Sequence, residues 1–232
     1  MNKIKNILKD SIKRSVKNQR EYRLFDTNVF VKDPLPDNIN LKEIFLNIEK
    51  RIPSYFLFYV DVIYIGEFNE LFSFEAGNVN ALYENGAIYI TNHQDDADDF
   101  IDDFIHELAH ALEDQFNTEI YSDMQIEKEF IEKRVAMERI LRYNGYETGN
   151  LDFEESEYNP DFDAFLNFEI GYATLHSLLN GLFASPYAAT SLREYFADAF
   201  EEYYLRDRKY LFNISPRAFE KINNLNKLGD YR

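Results

Sequence analysis

Two histidines four residues apart with a glutamate between them, His106-Glu107-Leu108-Ala109-His110, are the part of this chain best equipped for chemistry. Around them, Phe104, Ile105, Leu108, Ala109, Ala111 and Leu112 recur at helical spacing, with no Gly or Pro inside 103–114, which predicts a helix. Side chains four apart on a helix share a face, so both imidazoles can point at one ion. Glu107 lies about 100° further round, beside that ion but not forced to ligate it. Two neutral imidazoles with a carboxylate one step away are the groups that metal-assisted hydrolysis uses. The bland alternative is an ordinary amphipathic helix. The chain has no Cys, so any metal falls to His, Asp or Glu, and there are only four His, at 93, 106, 110 and 176.

Two His ligands leave a zinc site incomplete, because catalytic zinc has three protein ligands and a water. The best third ligand is Glu194, in Glu194-Tyr195-Phe196-Ala197-Asp198. On a helix Glu194 and Asp198 share a face. Glu194 can then ligate while Asp198 accepts a hydrogen bond from the non-ligating nitrogen of a histidine, His106 for choice, fixing its tautomer. The alternative is two solvated acids, although Phe196, Ala197 and Phe200 give this helix a buried side. His176, among Leu175, Leu178 and Leu179, reads as a packed helix histidine rather than a ligand. His93 reads as a surface turn residue.

Residues 104–111 (FIHELAHA) and 187–200 (YAATSLREYFADAF) together resemble the gluzincin zinc peptidases, and among them the catalytic domain of anthrax lethal factor and the Pro-Pro endopeptidases. The resemblance covers roughly 55–120 and 185–228 and takes in the hairpin before the HExxH helix and the closing helix after Pro216. It implies an α+β, zincin-like metallopeptidase: a small sheet with an edge hairpin on the HExxH helix, then a mainly helical C-terminal half. It implies one zinc per chain on His106, His110 and Glu194, with Asp198 behind them. It also implies a role for Tyr187, seven residues before the third ligand, in stabilising the oxyanion. The expected function is a zinc-dependent endopeptidase in which Glu107 is general base toward a metal-activated water. Strand 87–91 is the expected edge on which an extended peptide pairs. The competing readings are a catalytically idle zinc-binding interaction module and a non-peptidase metal-dependent hydrolase. His110 and Glu194 stand 84 positions apart, and the interval 121–186 is a helical insert able to form a lid or reshape the cleft.

The chain has 232 residues, enough for one domain of substantial core, and 45% hydrophobic residues, ordinary for a globular protein. A net charge of −17 argues against nucleic acid as a partner. Acidic surroundings favour a peptide or protein substrate with basic flanking residues. Residues 1–25 hold eight Lys or Arg and two acids, a local balance of +6 that leaves −23 for the rest. They predict a basic amphipathic helix (Ile4, Ile7, Leu8, Ile12 and Val16 in a stripe), docked on the acidic body, with an anionic membrane surface as the alternative partner. The absence of an apolar spanning run and of a secretory signal leads to the expectation of a cytoplasmic protein.

The elements that must position these residues read as follows. Residues 26–232 form a single metallopeptidase domain: 26–120 with the sheet and HExxH helix, 121–186 the insert, 187–232 the third-ligand and closing helices. A helix is predicted over 41–52 and a strand over 55–65. A hairpin follows, with strands at 80–84 and 87–91 around Asn85-Gly86, the strongest short hairpin signal. The Asp-rich stretch 94–103 complements a helix N-terminus, with calcium as the functional alternative. Helices are further predicted over 123–144, 162–183, 191–205 and 217–225, with a polar loop at 146–160.

Overall fold

The computed structural model describes residues 20–68, 72–73 and 77–228. The chain divides into two compact units between Ala111 and Leu112. That boundary falls inside one continuous helix, Ala97–Gln115, so no linker composition marks it.

In the first unit, strands β1 (Arg20–Leu24) and β2 (Thr27–Val31) form a hairpin whose turn places Phe25 at φ 50. The basic helix expected over 1–25 therefore does not continue past residue 19, and its earlier part lies outside the described residues. The reason is pairing: Arg20–Leu24 satisfies its backbone against Thr27–Val31, a partner that a helical charge pattern cannot reveal. Helix α1 (Leu41–Arg51) follows, capped by the Asn40 side chain and burying Leu41, Ile44, Phe45 and Ile48. The strand expected over 55–65 begins only at β3 (Val62–Ile65). Residues Ser54–Tyr59 instead wind as a 3₁₀ turn after Pro53, closed by Phe56 N–H to Pro53 C=O and Val60 N–H to Leu57 C=O.

Short strands β4 (Phe72–Ser73) and β5 (Gly77–Asn78) pair with each other alone. β6 (Ala81–Glu84) and β7 (Ala87–Ile90) form the expected hairpin. Asn85 at φ 50 and Gly86 at φ 85 are the two positive-φ residues of the primed turn that right-twisted strands prefer. The main sheet is mixed, in the order β1-β2-β3-β7-β6, with β2, β3 and β7 parallel. This overturns one expectation. Residues 87–91 are not the sheet edge, because β7 pairs with β3 on its other side, and the edge of the hairpin is β6. Val29, Ile63 and Ile88, then Val31, Ile65 and Ile90, line up in register as the core face. Phe30, Tyr64 and Tyr89 stack in register on the opposite face.

Helix α2 (Ala97–Gln115) buries Phe100, Ile101, Phe104, Ile105 and Leu108. Its start is capped by Asp96, whose carboxylate accepts from the N–H groups of Asp98 and Asp99. Among the described residues, no metal-holding group draws on the acids of 95–103, so the calcium alternative gains nothing.

The second unit is helical: α3 (Asn117–Tyr121), α4 (Gln125–Tyr143), α5 (Pro160–Ala164), α6 (Tyr172–Leu178), α7 (Leu192–Leu205), α8 (Arg208–Ile214) and α9 (Pro216–Leu228). The single helix expected over 162–183 is broken: Phe165–Ile170 winds with widened turns, and Gly171 at φ 84 ends it before α6. α4 supplies polar anchors, of which Lys133 and Arg134 are buried. Glu129 accepts from Arg217 N–H, Ala218 N–H and Tyr195 O–H. Lys133 donates to Leu182 C=O and Ser215 Oγ. Arg134, fully buried, donates to Asp152 C=O and Glu155 C=O and stacks on Phe162 at 3.7 Å. Among the described residues no helix is long and apolar enough to cross a membrane.

Candidate metal centre

The α2 helix does what its spacing requires. His106 and His110 point their Nε2 atoms together, 3.2 Å apart, with the rings edge to face. Glu107, only 8% exposed, turns toward the sheet edge, where its Oε2 accepts the backbone N–H of Tyr83 on β6. The hairpin register explains why that N–H is available. Glu84 and Ala87 flank the two-residue turn as a hydrogen-bonded pair, so Tyr83 opposite Ile88 is a pair that leaves its backbone groups on the open side of β6.

Glu194 stands in the first turn of α7. Ser191, buried, is the N-cap, and its Oγ accepts the Glu194 N–H at 3.1 Å. A carboxylate in this turn also meets the positive end of the helix dipole. His106, His110 and Glu194 each offer one ligand atom, all within 4.8 Å of one another, and the group could hold a metal ion. Zinc bonds of about 2.0–2.2 Å in tetrahedral geometry ask for ligand separations of about 3.3–3.6 Å. The imidazole pair, at 3.2 Å, lies close to that range.

Asp198, one turn beyond Glu194, is 6% exposed, and its Oδ2 accepts the N–H of Ser185 at 3.1 Å. It thereby anchors the segment leading to Tyr187, a role the sequence did not suggest. Tyr187 opens a 3₁₀ turn, Tyr187–Ala189, and is 41% exposed. Its carbonyl accepts from both the hydroxyl and the N–H of Thr190, and its ring meets the Tyr172 ring edge to face at 6.2 Å.

Two further features, the Glu113 and Asp163 networks, escaped sequence reasoning. Glu113, 2% exposed, accepts from Arg193 Nε at 2.9 Å and Tyr121 O–H at 2.6 Å, fastening the residue before Glu194. The Tyr121 hydroxyl is held protonated well beyond its ordinary range by burial and by the Glu113 charge. Next, Asp163 accepts two phenols, Tyr158 at 2.9 Å and Tyr172 at 2.5 Å. Burial, the Asp163 bond and charge, and the Glu194 charge push Tyr158 up to about 12. Lastly, the other two histidines stay outside the group. His93 is exposed on the surface against Glu67, as expected of a turn residue. His176 is exposed at the end of α6 and not packed as expected, because the break at Gly171 re-aims the helix that was to bury it.

Compared with protein-family models, with curated proteins and with solved structures, the chain matches none.

Proposed function

We propose that this chain is a zinc-dependent endopeptidase of zincin-like fold and gluzincin type. The observation that carries the reading is the imidazole pair, with Nε2 atoms 3.2 Å apart on one helix, grouped with Glu194 and with Glu107 next to His106. His106, His110 and Glu194 would hold one zinc ion, which when bound supplies a Lewis acid that lowers the pKa of a water and polarises a carbonyl.

The protein's own residues do the remainder. Glu107 takes a proton from the attacking water and returns it to the leaving amine. Its bond from Tyr83 N–H holds the carboxylate in place beside His106. The Tyr187 hydroxyl donates to the carbonyl oxygen as it gains charge. Asp198 steadies the site by holding the Tyr187 segment and, on this reading, a histidine. Substrate enters as an extended strand along β6, the edge strand of the hairpin. A peptide with basic flanks complements a chain of net charge −17.

The test is zinc per chain by elemental analysis, for the parent and Glu194→Ala, followed by cleavage of a peptide library with Lys or Glu at the flanks. About one zinc in the parent, a clear loss in the variant, and cleavage favouring Lys flanks are expected. A parent that takes up no zinc when offered it, or zinc-loaded protein that cleaves nothing, overturns the proposal.

A further inference from the structure

Tyr187 has a demanding task for a side chain that is 41% exposed on a short turn. A hydrogen-bond donor for a developing oxyanion must be held in place before the reaction, and a loss of about 1 Å in placement costs orders of magnitude in rate. Its main chain is tied down by Thr190 on one side and, through Ser185, by Asp198 on the other. The insert supplies a contact to its ring.

The Tyr172 ring stands edge to face with that of Tyr187, at 73° and 6.2 Å between centroids. Tyr172 is itself locked, since its hydroxyl donates to Asp163 Oδ1. The second oxygen of Asp163 takes Tyr158, so the carboxylate is held from both sides. Asp163 rides on α5, whose start is capped by the Asn159 side chain accepting from Asp161 and Phe162 N–H. Gly171 at φ 84 lets the chain turn back, so that Tyr172 begins a new helix and its hydroxyl returns to the preceding one. We infer that Tyr172, braced by Asp163, is a positioning residue for Tyr187. The insert thus contributes to catalysis by holding the oxyanion-stabilising phenol in place. This rests on the endopeptidase reading above.

The full chain, labelled with 3-fluorotyrosine, tests the inference alongside peptide kinetics. The Tyr187 fluorine signal is identified by its loss in Tyr187→Phe. In Tyr172→Ala, and more weakly in Asp163→Asn, that signal is expected to sharpen and move toward free fluorotyrosine. Zinc per chain and KM should stay within about twofold while kcat falls about 3- to 10-fold, the worth of one oriented ring pair. Tyr172→Phe, which keeps the ring, is expected to recover most of the loss. In a Tyr187→Phe background the Tyr172→Ala change should alter kcat less than twofold. A Tyr187 signal unmoved by Tyr172→Ala, or an equal kcat loss with and without the Tyr187 hydroxyl, overturns the inference. A parent that cleaves nothing overturns the endopeptidase reading and the catalytic purpose given to Tyr172, while the fluorine spectra still decide whether Tyr172 holds Tyr187.

Discussion

On the endopeptidase reading Glu107 serves two purposes that substitution can separate: its Oε2 accepts the Tyr83 N–H, and its carboxylate is the proposed base. Glu107→Gln keeps a carbonyl oxygen for Tyr83 and replaces only the second oxygen with an amide. The hydrogen bond then changes from charge-assisted to neutral, a loss of about 1 kcal/mol at most. Glu107→Ala removes the acceptor altogether. Tyr83 N–H is then left on a partly buried sheet edge, at a cost of about 1–3 kcal/mol, reduced if water enters. For a chain of this size each kcal/mol moves the melting temperature by about 2–4 °C. Differential scanning fluorimetry should therefore show Glu107→Gln within about 3 °C of the parent and Glu107→Ala lower by roughly 4–10 °C. Zinc per chain should be unchanged in Glu107→Gln, since Glu107 is not a ligand. Peptide cleavage should fall by about 10²–10⁴, the usual worth of a positioned base. Equal melting temperatures for Gln and Ala would refute the role given to the Tyr83 contact. Parental cleavage by Glu107→Gln would refute the role of base.

The remaining predictions concern the frame around the site. Burial lowers Lys133 to about 8, against the opposing pull of Glu129 and Asp198. The unfolded chain therefore binds more protons between about pH 8 and 10, so parental stability should rise with pH there by up to about 3 kcal/mol relative to Lys133→Met, measured by urea unfolding at several pH values. Arg134→Met leaves the carbonyls of Asp152 and Glu155 without their donors. It should cost about 2–4 kcal/mol and speed amide hydrogen exchange across 146–160 before it affects the sheet. Gly86→Ala forces a Cβ onto a residue at φ 85, 2.7 Å from Asp61 Oδ2. It should lower stability by about 1–2 kcal/mol in thermal unfolding without changing zinc content.

The parts of the site readable from sequence are those set by local periodicity. His106 and His110 converge because four residues on a helix return to one face, and Glu194 sits in a helix whose cap, Ser191, stands three residues before it. The Asn85-Gly86 hairpin was legible for the same local reason. Long-range pairing was not. Nothing in the residues of 87–91 shows that β7 has β3 on its far side, so the edge was assigned to the wrong strand of the hairpin. The aromatic run after Pro53 has the composition of a strand, yet its backbone closes on itself in 3₁₀ turns. Gly171 was a visible helix breaker inside a long apolar stretch, and it was read through because the apolar spacing continued on both sides. The Asp163 bonds to Tyr158 and Tyr172 join residues across that break, which helical spacing cannot anticipate.

That break also bears on what the 121–186 insert does. A lid needs a segment that opens at low cost, with few buried contacts and a solvated backbone. The insert has the opposite construction. Arg134 is fully buried beneath the 146–160 loop and carries two of its carbonyls. Lys133 holds the carbonyl of Leu182 at the insert's far end, between the rings of Phe183 and Tyr195. Displacing the loop would strand a buried guanidinium, and displacing the turn at 182 would strand a buried ammonium, each a penalty of several kcal/mol. Both cations come from α4, so the stretch from Asp152 to Leu182 is held near both of its ends by one helix. α4 is tied in turn to α9 and α7 through Glu129. Tyr158 and Tyr172 therefore lie on a segment pinned at both ends to the frame that carries Glu194. On the endopeptidase reading, the insert would be a fixed wall that sets the placement of Tyr187, and specificity would arise from the shape of that wall more than from its closure.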